Sequence, residues 1–560
     1  MSNTKLFTAT LFLALSQGAF AQIPTPPPLG GRIQQIPPAP APERKAIPDI
    51  RIEQGTTPAV PGSDQARILV NSLRVTGQTL YSEAELVAIT GFSPGSELTL
   101  SDLRGMASKI ADHYRRNGYF LAQAYLPAQN IDGESVTIVV LEGRYGSVSL
   151  NNQANLSDSL ANGLLDGVKS GDTIAIAPLE SRLLLLSDIP GVNVRSTLVP
   201  GAAVGTSDLL VELTPGQRVT GSIEADNAGD RYTGRYRVGA TVNINNPTGH
   251  GDVLSLRVMT AGPGLKYGRA SYQIQFGRAT VGVAYTALEY ELGEEFESLR
   301  AHGTAEVASV YGSYPLMRSR NANLYATMAF EASTFQDKID LTSSVIDRKT
   351  QALMTGLHGN FRDNIGSGGL TSYSLIATAG DLDIETPTAL ALDAATSRAN
   401  GNYGVLEFNA ARLQRVTDTF SLYGAIYGQF ASKNLDISEK MGLGGPYAVR
   451  AYPVGEGYSD EGYIIKLEAR QLLPNFSEGV PGQFHLVGFA DTGSGTLHKN
   501  PWFTGPNHRR LSGAGIGLTW ADYNNFLVTV YWAHKLGNAP VTSVPGDPDS
   551  QFWFQLVKYF

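Results

Sequence analysis

From residue 215 to residue 560 apolar and polar side chains alternate. Tyr236, Val238, Ala240, Val242 and Ile244 share one face, and Arg235, Arg237, Thr241 and Asn243 fill the other. Leu254, Leu256 and Val258 stand against Ser255 and Arg257, and Ile465, Leu467 and Ala469 against Lys466, Glu468 and Arg470; Phe526, Val528, Val530 and Trp532 repeat the dyad. A period of two is that of a β-strand, in which successive side chains point to opposite faces. Sixteen such segments fit the stretch. A soluble sandwich would alternate as well, so the spacing between segments has to decide. The gaps are short at 246–250, 362–368, 414–418 and 521–524, and long at 335–349, 381–401, 432–461, 492–511 and 535–550. Short turns at one end and long loops at the other predict an antiparallel membrane β-barrel with lipid outside and a polar lumen. The same parity turns Phe484, Leu486, Gly488 and Ala490 toward lipid and leaves Phe489 and Asp491 facing inward.

The N-terminal part follows other periods. Lys5, the apolar run Leu6–Leu15 and Ala19-Phe20-Ala21 before Gln22 have the layout of a signal peptide, residues 1–21, too short to span a bilayer. Residues 22–66 hold eleven prolines and few large apolar side chains, which predicts an extended linker with no packed structure. Residues 67–143 read β-α-α-β-β: a strand at Ile68–Val75, a helix at Ser82–Thr90, a second helix with Leu103, Met106, Ala107, Ile110 and Tyr114 on one face, then strands at Leu121–Pro127 and Val136–Leu141. Thr99 with Asp102 has the form of a capping box, and Gly118 that of a C-terminal cap. Residues 144–214 repeat the order, with strands at Tyr145–Leu150, Asn193–Val199 and Asp208–Leu213 and helices around Leu156–Leu165 and Leu179–Leu186. Two small tandem α+β domains are therefore expected ahead of the barrel.

Composition removes other classes. With no cysteine there is no disulfide, thiol catalyst or zinc-thiolate site, and a net charge of -8 offers no field for nucleic acid. No Walker-type loop occurs, and the eight histidines show no ligand spacing, so neither a cofactor nor a metal is expected. Gly91-Phe92-Ser93-Pro94-Gly95 satisfies the nucleophile-elbow pattern but follows a helix, where that elbow needs a strand. Asp491-Thr492-Gly493-Ser494 spells an aspartic-protease signature without the second carboxylate that the chemistry requires. No catalytic residue is assigned. Trp520, Tyr531 and Trp532 read as interfacial girdle aromatics, and His485 as a lumenal hydrogen-bonding residue.

The longest loop, 432–461, carries Gly444-Gly445-Pro446-Tyr447-Ala448-Val449-Arg450-Ala451-Tyr452, followed by Gly455, Gly457 and Gly462. This resembles the VRGY/F-type motif of the POTRA-barrel superfamily. Two tandem domains before sixteen strands resemble the two-partner secretion transporters, the TpsB family of FhaC/ShlB-like haemolysin secretion/activation proteins. Family-like segments recur at Gly118-Tyr119, Leu126-Pro127-Ala128-Gln129, Asp226-Asn227-Ala228-Gly229 and Asn246–Asp252, so that the resemblance covers residues 68–560. The C-terminal Phe552, Phe554, Leu556 and Phe560 match an outer-membrane insertion signal, from which Lys558 departs. Ala451 stands where the motif usually has glycine; if that position needs a left-handed backbone, alanine costs about 1 kcal/mol.

The resemblance implies a transmembrane β-barrel of sixteen antiparallel strands preceded by two α+β POTRA domains, with the POTRA domains in the periplasm. It implies a translocator in the bacterial outer membrane that secretes a large β-rich partner, a TpsA-like exoprotein such as an adhesin or haemolysin; the alternative is an assembly factor of the same superfamily. Its other partners would be outer-membrane lipid and lipopolysaccharide, and the barrel assembly machinery during biogenesis, with the chain itself a monomer. Arg450, flanked by Val449 and Tyr452 and framed by Gly444, Gly445 and Gly455, would enter the lumen and clamp to Asp491 beside Phe489. Tyr119, Leu126, Pro127 and Gln129 are the implied client-binding residues.

Overall fold

The computed structural model describes residues 50–52, 66–130, 134–474 and 479–560. The expected signal peptide and most of the proline-rich linker lie outside the described residues. The chain divides into two units, one covering Ala46–Gly216 and the other containing Gln217–Phe560.

In the first unit, helices Glu83–Thr90 and Leu100–Arg116 pack on a three-stranded sheet in which Ser135–Leu141 lies between Ser72–Thr76, parallel to it, and Gln123–Tyr125, antiparallel. The long helix starts at the expected box, with the Thr99 side chain accepting from the Asp102 N–H and the Asp102 carboxylate from the Thr99 N–H. It ends in a Schellman turn: Gly118 has φ +90°, its N–H reaches Arg115 O (3.0 Å), and the Tyr119 N–H reaches Tyr114 O (3.0 Å). The Tyr119 ring then rests edge-on against Tyr114. Leu103, Ala107, Ile110 and Tyr114 bury the helix face read from the sequence. A small second sheet, Arg67–Val70 with Ser96–Thr99, is an addition to the expected order.

The second α+β domain repeats the layout, with helices Asp158–Leu165 and Ile176–Ser187 and strands Arg144–Asn152, Val192–Pro200 and Thr206–Pro215. Its sheet has a fourth member. Ile50–Ile52 pairs in parallel with Ser196–Leu198, so one piece of the proline-rich stretch is a packed edge strand. That corrects the expectation of a structureless linker, and the reason is non-local: three residues between prolines find a partner far along the chain.

Glu142 joins the two domains. Its carboxylate, fully buried, accepts the N–H groups of Thr79 (2.6 Å) and Leu80 (2.8 Å) and the Tyr114 hydroxyl (3.0 Å). It also pairs with Arg144 (3.1 Å), whose guanidinium reaches Gly171 O (2.9 Å) in the second domain. Burial pushes this carboxyl up, but the bonds from Thr79, Leu80 and Tyr114 outweigh burial and hold it below the usual glutamate range. A depressed folded pKa contributes stability that is present above the ordinary value, about 4.3, and lost as pH falls through the folded one. The protection factors of the Thr79 and Leu80 amides, measured against their intrinsic exchange rates, are therefore expected to stay constant through the neutral range and to fall only below that value. Glu142→Ala should weaken this protection at neutral pH by about 1–3 kcal/mol. Wild-type exchange rates in the alanine variant would remove the carboxylate from this role.

The second unit is a closed antiparallel barrel of sixteen strands, from Val219–Asp226 to Ser550–Tyr559. Its outer face carries Val238, Leu256, Val258, Leu467 and Leu486, all exposed to the surroundings, while Arg237, Arg257, Glu468 and Asp491 are buried inside. The first and last strands close the cylinder by pairing Ser222–Asp226 with Tyr559–Gln555, and Gly221 and Phe560 exchange both backbone bonds. Asn227 lengthens this seam, its amide donating to Phe552 O (2.8 Å) and accepting from the Phe554 N–H (2.8 Å). Asn246–Asp252 forms a self-capped turn in which the Asn246 N–H bonds Asp252 O (2.6 Å) and the Tyr272 hydroxyl the Asp252 carboxylate (2.9 Å).

Connections 277–278, 319–321, 364–368, 416–419 and 523–525 at one end are short; at the other, 227–236, 292–300, 385–400, 432–460, 497–507 and 536–549 are long. The expected long loop at 335–349 is instead mostly strand, since Ala322–Ile339 and Ser344–Asp363 run on and leave only residues 340–343 between them. Beyond the lipid both faces of a strand meet water, so the dyad fades while the hydrogen bonds continue.

Candidate functional site: the motif loop within the barrel

The loop 432–460 joins strands Phe420–Ala431 and Glu461–Leu472 and packs against the inner wall. Its tip is shaped by glycine. Gly445 has φ +116°, a region L side chains avoid, and its N–H reaches Tyr452 O (3.0 Å) across the turn. Gly444 admits the returning chain of the loop, because a Cβ there would stand 2.3 Å from Pro453 O. Gly455, the third glycine singled out, has φ +88°.

The turn delivers Arg450 to the wall, where it is 1% exposed. Its Nε and Nη2 donate to the two oxygens of Asp491, at 2.7 Å each, and its backbone N–H reaches the same carboxylate at 3.2 Å. Nη1 donates to Glu468 (2.7 Å), whose other oxygen accepts from Arg470 (2.7 Å). The guanidinium lies 3.6 Å from the centre of the Phe489 ring and 4.9 Å from that of Tyr531. Bidentate geometry with ring stacking suits arginine specifically, since lysine offers neither the fork nor the plane. Two carboxylates face two guanidinium groups, so each buried charge here has an opposite one in contact, and the Lys466 ammonium lines the same cavity, donating to Pro446 O (3.4 Å).

Val449 and Tyr452 are fully buried in the same cluster, and the Tyr452 hydroxyl donates to Ala539 O (3.1 Å) in the last surface loop. Ala451 has an ordinary backbone, so the expected left-handed strain does not arise. The space comes from the wall: a Cβ at Gly513 would stand 2.3 Å from the Ala451 Cβ, so the small residue on the strand accommodates the alanine on the loop.

Several residues of this cluster are not assigned to it by the sequence. Glu468 and Arg470 were placed on the inward face without a partner. Tyr531 is a correction: it points inward against Arg450, whereas Trp532 is exposed on the outer face and Trp520 stacks on Phe484. Its parity, opposite to Trp532, carried that signal. Trp553 donates its indole N–H to Arg450 O (2.7 Å), tying the tip to the closing strand. His485 lines the cavity shared by Arg450 and Glu468, but its Nδ1 has no hydrogen-bond partner among the described residues. Lys558 bonds Asn525 at the short-turn end.

In the first unit the four candidate client-binding residues serve the domain's own packing. Tyr119 and Leu126 rest half-buried on its core, and the Gln129 amide both donates to Thr137 O and accepts the Thr137 N–H, each at 2.8 Å, beside Pro127.

Residues 205–520 match the family described as haemolysin secretion/activation protein ShlB/FhaC/HecB, and residues 68–143 match the POTRA domain of ShlB type. The heme/hemopexin transporter protein HuxB of Haemophilus influenzae is 32% identical over 485 residues, 85% of this chain and 84% of the relative. The hemolysin transporter protein ShlB of Serratia marcescens is 22% identical, over 74% of each chain. The solved structure of CdiB from Escherichia coli is similar in fold, with a TM-score of 0.69, 20% identity, and coverage of 90% of this chain and 93% of that one.

Proposed function

The chain belongs to the ShlB/FhaC/HecB family of haemolysin secretion/activation proteins, and from that membership we propose how its parts divide the work of export. It is an outer-membrane transporter that secretes a partner protein by two-partner secretion, with its POTRA region in the periplasm. We take residues 144–214 as a second POTRA domain. The client is a large β-rich exoprotein that arrives unfolded and adds an extended segment to the tandem domains. Among the described residues the edges of the larger sheets are Ser72–Thr76 and Gln123–Tyr125 in the first domain and Arg144–Asn152 in the second; a client strand on Val192–Pro200 would have to replace Ile50–Ile52.

The observation that carries the reading is Arg450, which draws the motif loop into the lumen and ties it to the inner wall through Asp491 and Glu468. At rest the clamp to Asp491 and Glu468 holds the loop in the bore; during export the loop rearranges and the client threads past the polar wall. No reaction is assigned to the chain, and folding of the client outside supplies the drive. The barrel acts as a monomer, bordered by lipopolysaccharide and other outer-membrane lipid, after insertion by the barrel assembly machinery.

Co-expression with a secreted β-rich protein encoded beside it, with the medium assayed for that protein, tests the reading. Appearance of the protein in the medium only when this chain is present is expected. If instead the chain's loss depletes unrelated outer-membrane proteins and leaves secretion intact, the assembly reading replaces this one.

A further inference from the structure

The Arg450 cluster binds the motif loop to the barrel wall, but a second buried carboxylate in the same loop does something else. Glu456 is 0% exposed. Its backbone carbonyl holds the loop stem together, accepting the N–H groups of Leu443 (3.0 Å) and Gly444 (3.1 Å). Its side chain leaves the stem and enters the last surface loop, 536–549. One oxygen accepts the N–H groups of Thr542 (2.9 Å) and Ser543 (2.9 Å) and the Ser543 hydroxyl (2.8 Å); the other accepts the Thr542 hydroxyl (2.8 Å) and the Arg509 guanidinium. Arg509 also donates to Pro540 O (2.9 Å), so it braces both sides of the contact. Two consecutive backbone N–H groups with both hydroxyls make an anion cradle, and its anion is a side chain of the neighbouring loop. The last loop is shaped to offer this cradle: Asp547 accepts from the Val541 N–H (2.8 Å) and from Lys535 (2.6 Å), while Val541 and Val544 pack into the cluster around Val449 and Tyr452.

We propose that Glu456 is the positioning residue of an outer latch, which holds the last surface loop down on the motif loop so that the bore is closed twice in series, at the wall by Arg450 and between loops by Glu456. Burial pushes the Glu456 carboxyl up, yet the bonds from Thr542 and Ser543 outweigh it and keep it below the usual range. The latch is therefore charged at neutral pH, and displacement by the emerging chain releases it. The purpose of the latch rests on the secretion reading; the closure does not, since it exists without a client.

The test uses the full-length protein in planar bilayers and in cells. Glu456→Ala, and separately Thr542→Ala with Ser543→Ala, should raise open-pore occupancy about tenfold while the barrel stays heat-modifiable and Arg450-dependent. Because the chain has no cysteine, Glu456→Cys with Ser543→Cys can be joined by a short bifunctional thiol reagent. The reduced pair should leak like the alanine variant, and the joined pair should return to wild-type conductance and stop partner secretion. Wild-type conductance in both alanine variants overturns the latch, as does undiminished secretion through the joined pair. If the joined pair closes the pore but the wild-type chain secretes no partner in the same cells, the latch stands and the secretion reading fails.

Discussion

Arg450→Ala is expected to abolish partner export and to unsettle the closed pore, giving frequent large openings where the wild type is mostly shut. The substitution strands a carboxylate. Asp491 receives three of its bonds from Arg450, whereas Glu468 keeps Arg470. Breaking one side of a buried pair costs about 3–5 kcal/mol, which weakens the closed position by about two to three and a half powers of ten at about 1.4 kcal/mol each. Water in the bore solvates Asp491 in part, which puts the effect at the lower end of that range. Arg450→Lys should fall between, because it keeps the charge but loses the bidentate fork and the stacking on Phe489. In Arg450→Ala with Asp491→Ala the effects should be less than additive, since the second change removes the stranded charge. Export and conductance both at wild-type levels in Arg450→Ala would falsify the clamp.

How far this site could be read beforehand depends on what alternation encodes. A period of two assigns a side to each wall residue, and for Asp491 and Phe489 that side was enough once the loop motif supplied an arginine. It does not assign height. Which inward residue lies level with the loop tip depends on strand tilt and stagger around the cylinder. Glu468, Tyr531 and Trp553 come from three different strands, and only closure of the sheet brings them to one arginine. The barrel itself was legible because lipid imposes the alternation; strand ends were not, since past the lipid that constraint ends, as at Ala322–Ile339 and Ser344–Asp363. Ile50–Ile52 gave no local sign, because its partner lies in the second domain. Glu456 was one carboxylate between two glycines, and nothing near it in the chain announced a cradle at Thr542 and Ser543.

Deleting residues 68–143 is expected to reduce secretion to background while leaving an assembled barrel that still migrates faster unheated than heated. The barrel unit begins at Gln217 and closes on itself through the pairing of Val219–Asp226 with Ser550–Tyr559, so none of its ladder bonds comes from the deleted residues. The second α+β domain loses more. Phe120 and Leu121 pack against its core, and the Ile176 N–H donates to Gly118 O (2.9 Å). What remains is a core of its own, with Leu164, Ile174, Leu179, Leu186, Leu209 and Leu213 buried between its helices and sheet, which should keep it folded at reduced stability. Loss of export with an intact barrel would then report the missing client-binding edges Ser72–Thr76 and Gln123–Tyr125. Glu142→Ala supplies the control, because it loosens the joint between the domains and leaves both edges in place: it should slow export where the deletion stops it. Continued secretion by the deleted chain would move client capture out of the first domain, onto the second domain or the barrel mouth.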